Sequence, residues 1–189
     1  CWVENTYAVR FQKNALSGVS GDMGTQMFTC GRSAALTACA YTREGYTFAG
    51  WNTKADGSGT SYADGAAVRD LSTEAGGDVS LYAQWQAEQY TVSFDANGGT
   101  LAAGKEKKTV DFGSPYGELP VPGRADYTFL GWYTGKTDGG PVTSNTSVAR
   151  TEGHTLYARW NYDYFTLSFD LQGGSGTAQE SFLPRKMKK

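Results

Sequence analysis

The chain has 189 residues, and its 17 Lys and Arg residues against 19 Asp and Glu give a net charge of −2. Because a nucleic-acid groove normally needs a basic face, this balance argues against nucleic-acid binding. No apolar run approaches the roughly 18 residues that a membrane-spanning helix needs, so we expect no membrane span in this segment. With 25 Gly and 12 Tyr residues, the composition favours short strands separated by turns.

A repeated signature divides the chain. It consists of a Trp, an aromatic residue five positions later, and then alternating apolar residues. The three occurrences are Trp2 with Tyr7, Val9 and Phe11; Trp85 with Tyr90, Val92 and Phe94; and Trp160 with Phe165, Leu167 and Phe169. Two further segments occur twice: Gly45–Trp51 matches Asp126–Trp132, and Leu81–Trp85 matches Leu156–Trp160. Repetition of the same signatures in the same order, at similar spacing, indicates an array of structural modules.

The spacing of the signatures sets the expected boundaries. Residues 1–5 are the end of a preceding repeat, 6–88 form a first module, 89–163 form a second, and 164–189 begin a truncated third. The distance from the opening-strand Phe to the central Trp is 40 residues in the first copy (Phe11 to Trp51) and 38 in the second (Phe94 to Trp132). The distance from the central to the closing Trp is 34 residues in the first copy (to Trp85) and 28 in the second (to Trp160). The copies therefore differ by small insertions in turn-rich stretches. We expect residues 175–189 to be mostly exposed.

The elements of one module follow from local patterns. Tyr90, Val92 and Phe94 alternate with polar residues, which predicts an opening strand with one buried face. The segment 109–113 is predicted to supply the second strand. In the Tyr-Thr-Phe-x-Gly-Trp strand, strict alternation would place Phe129 and Trp132 on opposite faces, so Gly131 predicts a bulge that returns the Trp to the core. The closing strand, Leu156–Trp160, again alternates.

The first copy places Phe28-Thr29-Cys30-Gly31 where the second has the segment ending in Phe112-Gly113. Cys30 therefore stands where Phe112 stands, which favours core packing over redox chemistry. Cys30 and Cys39 are nine residues apart and could form a disulfide, but three cysteines in total argue against a disulfide framework. Two buried, inert thiols are the favoured interpretation, and the disulfide stays an open alternative.

Three segments of the second copy resemble the Listeria–Bacteroides repeat, the B-repeat type of the internalins and other large bacterial surface proteins. They are Phe94–Gly99, Tyr127–Trp132 and Leu156–Trp160. The resemblance covers nearly the whole chain and implies tandem, mostly β, small β-grasp-like modules of about four strands each with little helix. It also implies extracellular use at the cell surface or cell wall, without catalytic activity. Phe11–Ala15 lacks the Asp-x-Asn-Gly-Gly turn, so the first loop of that copy is predicted to be longer and less regular.

No catalytic, cofactor-binding or metal-binding residue is predicted. His154, the one histidine, is expected to be a solvated loop residue, because no nucleophile or set of zinc ligands accompanies it. Asp56-Gly57-Ser58-Gly59 and Asp138-Gly139-Gly140 are interpreted as tight turns, not calcium loops, because the spacing of an EF-hand is absent. Asp95 and Asp170 are predicted to form turns through their side chains.

Two functions remain in view at this stage. In the first, the segment is a non-catalytic spacer or stalk of a bacterial cell-surface protein, a monomer whose partners are the neighbouring repeats of the same chain. In the second, it is an adhesion module that binds a host protein or glycan. A repeated binding site should repeat exposed residues, whereas the copies share mainly apolar and glycine positions and only occasional surface residues such as Lys54 and Lys136. This comparison favours the spacer.

Overall fold

The computed structural model describes residues 5–167 and 181–184. The chain divides into two compact units, Cys1–Glu88 and Gln89–Lys189, called module 1 and module 2 below. The described residues form 16 strands and no helix, which confirms the mostly β prediction. Asp170 lies outside the described residues, as do 175–180, 185–189 and the side chains of 181–184. The described part of the chain contains no helix that is long and apolar enough to cross a membrane.

Module 1 is built around one mixed sheet. Its strands are β1 (Thr6–Gln12), β2 (Val19–Ser20), β3 (Gln26–Thr29), β4 (Ala34–Ala35), β5 (Thr42–Arg43), β6 (Tyr46–Asn52), β7 (Ser61–Tyr62), β8 (Ala67–Val68) and β9 (Asp78–Ala87). The sheet order is β2-β5-β6-β9-β1-β3, with β7 also paired to β6, while β4 and β8 form a separate pair. The first long strand, β1, lies parallel to the last, β9, and the other neighbours in the sheet are antiparallel.

Module 2 repeats this arrangement. Its strands are β10 (Gln89–Asp95), β11 (Lys107–Asp111), β12 (Tyr127–Tyr133), β13 (Pro141–Val142) and β14 (His154–Tyr162), in the order β11-β10-β14-β12-β13. A further antiparallel pair joins β15 (Tyr164–Leu167) to β16 (Ser181–Pro184). In both modules the four principal strands are ordered second, first, fourth, third, with the first and fourth parallel. The β-grasp-like comparison stays a prediction.

The strand pairings test the sequence alignment of the two copies. Tyr7 pairs with Phe28 in module 1, and Tyr90 pairs with Val110 in module 2. Cys30 and Phe112 are therefore equivalent, two positions beyond these partners, as the sequence predicted. The second strand begins at Lys107 and ends at Asp111, earlier than the predicted 109–113. Gly113 has φ +76° and lies in the turn that ends the strand.

The predicted bulge is present in both central strands. The pairing of β6 with β9 shifts between Phe48 and Gly50, and the pairing of β12 with β14 shifts between Phe129 and Gly131. The glycines have φ +128° and +131°, values that residues with a Cβ rarely adopt. Because the bulge adds one residue to the central strand, each central Trp turns inward and is buried.

Each module has its own aromatic core centred on that Trp. Trp51 packs against Phe11 at 4.8 Å and Phe48 at 4.9 Å between ring centroids. Trp132 packs against the equivalent Phe94 at 4.9 Å and Phe129 at 5.6 Å. The buried residues fall into two clusters, one within each module. Large aromatic side chains can fill the core of a module this small, and tilted ring pairs add to the stabilisation that burial provides.

Candidate functional site

One set of polar contacts recurs in both modules and joins the segment after the opening strand to the closing strand. The Asn14 amide Nδ2 donates to the carbonyl oxygen of Ala83 at 2.8 Å, and Asn97 Nδ2 donates to the carbonyl oxygen of Ala158 at 3.1 Å. The two acceptor alanines are buried and occupy equivalent places on β9 and β14. The asparagine is therefore a shared structural residue that the sequence comparison did not identify.

The closing tryptophans supply the second contact of this set. Trp85 Nε1 donates to the carbonyl oxygen of Lys13, and Trp160 Nε1 donates to that of Ala96, both at 2.9 Å. Each acceptor precedes the asparagine by one residue. The closing Trp thus has a polar role besides its ring packing, and it ties the end of the module to the turn after its first strand.

The asparagine has the same backbone conformation in both modules, although the loops that follow it differ. Asn14 has φ +49° and Asn97 has φ +48°, so both start the turn in the left-handed conformation that Asn adopts more readily than most residues. The loop between β1 and β3 is longer than its counterpart, as predicted. The loop is also less regular, as predicted: module 2 closes its turn with a backbone bond from Gly99 N–H to the Ala96 carbonyl, whereas residues 13–18 of module 1 contain bends only.

Asp95 forms the side-chain turn that the sequence predicted. Its Oδ1 accepts the backbone N–H of Asn97 at 2.8 Å, and its Oδ2 lies 3.1 Å from Lys136 Nζ. The hydrogen bond from Asn97, helped by Lys136, holds the pKa of the Asp95 carboxyl below its ordinary value, against the opposing effect of partial burial. Gln12 occupies this place in module 1, so the charge itself is not repeated.

The turn after the central strand is organised differently in the two copies. In module 1 the buried Asn52 donates through Nδ2 to the carbonyl oxygen of Gly57 at 3.0 Å, and its Oδ1 accepts the backbone N–H groups of Lys54 and Gly59. Asp56 Oδ1 accepts the N–H of Ser58 within this turn, which lowers the pKa of the Asp56 carboxyl. These bonds confirm a tight turn at 56–59.

In module 2 an arginine organises the corresponding turn. Arg159 donates through Nη2 to the carbonyl oxygens of Gly135 and Asp138, and its guanidinium lies 4.0 Å from the centroid of the Tyr133 ring. Gly139 has φ +82°, consistent with the tight turn predicted at 138–140. Among the described residues, no group of three or more His, Cys, Asp or Glu side chains could hold a metal ion.

His154 is not a loop residue, and that prediction was wrong. It is the first residue of β14, pairs with Val92, and is half-buried. Its Nε2 lies 2.6 Å from the hydroxyl of the buried Tyr116, and its Nδ1 lies 3.1 Å from the carbonyl oxygen of Glu152. Because a carbonyl oxygen only accepts, Nδ1 is the atom that donates to Glu152, while Nε2 and the Tyr116 hydroxyl share a second hydrogen bond.

The tyrosine of this pair is itself well shielded from water. Burial raises the pKa of the Tyr116 hydroxyl above its ordinary value, and nearby Arg150 opposes that rise. The hydroxyl therefore stays a hydrogen-bond donor near neutral pH. The counterpart of His154 in module 1 is Val79, so this polar pair is not a repeated constellation either.

Cys30 and Cys39 are free thiols. Both are half-buried and pack against the core of module 1, with Cys30 Sγ 3.7 Å from the carbonyl oxygen of Ser72. Burial raises the pKa of the Cys39 thiol, which keeps it protonated and poorly nucleophilic. The favoured interpretation as packing residues is confirmed, although the thiols are less buried than expected.

A cavity lies beside the opening-strand Phe of each module, and the two cavities differ in chemistry. The cavity in module 1, about 630 Å³, has Asp22 and Met23 in its lining. The cavity in module 2, about 490 Å³, has Lys105 in its lining together with two further lysines. Met23 and Lys105 correspond in position, since each lies five residues before the equivalent pair Phe28 and Val110. A ligand contacted identically by both copies is therefore not expected here.

Comparison with known proteins agrees with the internal repetition. Residues 7–84 and 90–159 each match the family model of the Listeria-Bacteroides repeat domain. The chain is 32% identical over 178 residues to a protein of Evansella cellulosilytica described as a Gly-rich membrane protein, with 94% of this chain and 20% of that protein covered. It is 33% identical over 147 residues to internalin H of Listeria monocytogenes, with 74% of this chain and 24% of that protein covered.

The chain therefore spans about a fifth to a quarter of the length of these relatives. The family model covers the residues that build both cores, from the opening strand to the closing strand of each module. The chain belongs to the Listeria-Bacteroides repeat domain family.

Proposed function

We propose that this chain is a non-catalytic tandem repeat segment of a bacterial cell-surface protein, in which it acts as an extracellular spacer or stalk. In this proposal residues 6–88 and 89–163 are two repeats, residues 1–5 end a preceding repeat, and 164–189 begin a third. The antiparallel pairing of β15 with β16 supports the last assignment, since each module also starts with an antiparallel pair. The names of the relatives, an internalin and a membrane protein, support a surface location.

One observation carries the spacer role: the contacts that the modules share are mainly internal. The central Trp, the glycine bulge, the closing Trp bond and the asparagine bond recur, whereas the cavity linings and the turn-organising residues change. Selection for a spacer needs only that each copy folds. Selection for a repeated binding site should also preserve the exposed groups that contact the ligand.

The alternative, an adhesion module for a host protein or glycan, is favoured by one repeated surface feature. The Arg43 guanidinium lies 3.7 Å from the centroid of the Tyr46 ring, and the Arg124 guanidinium lies 3.6 Å from that of Tyr127. These residues have equivalent places in the two modules. A cation–π contact of this kind also stabilises the fold by itself, with a contribution of about 0.5–1 kcal/mol at exposed sites.

A surface-display experiment separates the two functions. A reporter epitope is displayed on a bacterium through the whole chain, through unrelated β repeats of equal length, or without either. A spacer predicts that antibody access is restored equally by both insertions. The purified chain should then show no saturable binding to host cells or glycan arrays. Saturable binding that is lost when Arg43 and Arg124 are both replaced by Ala would establish the adhesion module instead.

A further inference from the structure

We infer that each module is a mechanical clamp that resists tension applied along the chain. The inference deepens the proposed stalk function and rests on it for its biological meaning. Its physical basis lies within each module separately: the first and last strands are neighbours and run parallel. The clamp is defined here as that strand pair, β1 with β9 or β10 with β14, together with the asparagine and tryptophan bonds described above.

The direction of the strands decides how tension loads the clamp. Tension enters module 1 at Thr6 and leaves at Ala87, so β1 is pulled towards its amino end and β9 towards its carboxyl end. Because the strands are parallel, these pulls are opposite along one axis, and the strands must slide past each other. The hydrogen bonds between them then resist together. In an antiparallel hairpin pulled at its two adjacent ends, the bonds would instead open one after another.

The ladder in module 1 is continuous over the loaded length. Residues Ala8 to Gln12 lie in register with Asp78 to Tyr82. Two backbone bonds extend the ladder at its start, from Ala8 N–H to the Gly77 carbonyl and from Gly76 N–H to the Thr6 carbonyl, both at 2.8 Å. An ion pair also joins these two strands, with Arg10 Nε on β1 lying 3.0 Å from a carboxylate oxygen of Asp78 on β9.

The ladder in module 2 is shorter but has the same form. Residues Val92 to Asp95 lie in register with His154 to Tyr157. In both modules the inward residues of the clamp are shielded from water, and Val92, Leu156 and Ala158 are fully buried. Water cannot readily replace a strand bond in such surroundings, so the bonds break only when the strands have already moved.

The recurring side-chain bonds lie beyond the carboxyl end of the opening strand and bridge the same two segments. Asn97 Nδ2 reaches the Ala158 carbonyl, and Trp160 Nε1 reaches the Ala96 carbonyl. Sliding of β10 against β14 must therefore break them together with the ladder. This accounts for the preservation of both residues in module 1, as Asn14 and Trp85, although the neighbouring turn sequence differs.

The test is single-molecule stretching of the whole chain at constant force, with handles at the two termini. Trp160→Phe keeps an aromatic ring but removes the donor to the Ala96 carbonyl. We expect the unfolding rate of module 2 under force to rise roughly five- to tenfold. This is the effect of losing one hydrogen bond that is formed in the folded state and broken in the transition state. The rate of module 1 should not change.

Trp132→Phe is the matched control. It also removes one indole donor, since Trp132 Nε1 donates to the Pro120 carbonyl at 2.7 Å, but neither residue belongs to the clamp. We expect this variant to lower the stability of module 2 in denaturant and to change its unfolding rate under force by less than a factor of about two. Equal acceleration of forced unfolding by both variants would overturn the inference.

A second pulling direction keeps the inference testable if either variant fails to fold. Handles are attached through cysteines introduced at the exposed Ala103 and Asn161, with the native cysteines replaced by Ser. Tension between these points peels β10 from β14 from one end, so module 2 should unfold at clearly lower force than when it is pulled through its own ends. The same force in both directions would refute the clamp. Neither result depends on ligand binding. Failure of the stalk proposal in the display experiment can therefore be told apart from failure of the clamp in the stretching experiment.

Discussion

Replacement of the central Trp of module 2 by alanine should unfold that module alone. Trp132 is 2% exposed, packs against Phe94 and Phe129, and satisfies the Pro120 carbonyl. Removing such a side chain costs about 3–5 kcal/mol, and leaving the Pro120 carbonyl without its donor adds about 1 kcal/mol. A module of this size is stable by only about 4–11 kcal/mol at the usual value per residue. Trp132→Ala therefore removes a large share of the stability.

The assay is amide hydrogen exchange read separately for the two modules. In Trp132→Ala, the amides of β10 and β14 should lose protection, while those of β1 and β9 should keep the protection of the unmutated chain. Trp51→Ala, the matched control, should give the reverse pattern. The reasoning would be refuted if either variant lowered protection in both modules together, because the two cores would then not be independent cooperative units.

Three further outcomes are expected. The folded-state pKa of Asp95 is lowered, so its contribution to stability is present above the ordinary carboxyl pKa and is lost as pH falls through the lowered value. Chemical denaturation from about pH 6 to pH 3 should show a steeper loss of stability in the original chain than in Asp95→Gln. Gly50→Ala should destabilise more than Gly131→Ala in thermal melts, since a Cβ at Gly50 would lie 2.8 Å from the Tyr62 carbonyl oxygen and the nearest atom to one at Gly131 is 3.9 Å away. Elemental analysis of the purified chain should find no stoichiometric metal, and close to one zinc or calcium per module would contradict the non-metal interpretation.

The parts of the fold that periodicity controls could be predicted from the sequence. Alternation gave the opening strand with Val92 and Phe94 buried, and the glycine before the central Trp gave the bulge. These features depend on side-chain direction along one strand, which is local information. The equivalence of Cys30 and Phe112 could also be predicted, because residues aligned by the repeat have equivalent partners on the neighbouring strand.

The polar contacts could not be predicted in the same way, because each joins residues far apart in the chain. Asn14 and Ala83 are 69 positions apart, and Asn97 and Ala158 are 61 apart. A signal was present, since asparagine recurs three residues after the opening-strand Phe in both copies. In module 2 the asparagine belongs to an Asn-Gly-Gly turn, and module 1 lacks the glycines, so the sequence pattern does not distinguish the asparagine from the turn around it.

The His154 error has a different cause, which lies in a coupled change of two core positions. Leu36 donates its backbone N–H to the Ala66 carbonyl, and Tyr116 donates its own to the Thr146 carbonyl, both at 2.9 Å. Each acceptor lies two residues before a buried valine, so Leu36 and Tyr116 occupy equivalent places. Module 1 therefore places Leu36 and Val79 where module 2 places Tyr116 and His154. Read alone, a histidine with no nucleophile or metal ligands beside it suggests a solvated loop residue. Read with its partner, it completes a hydrogen bond that an apolar residue beside the Tyr116 hydroxyl would leave unmade, which is why the two positions change together.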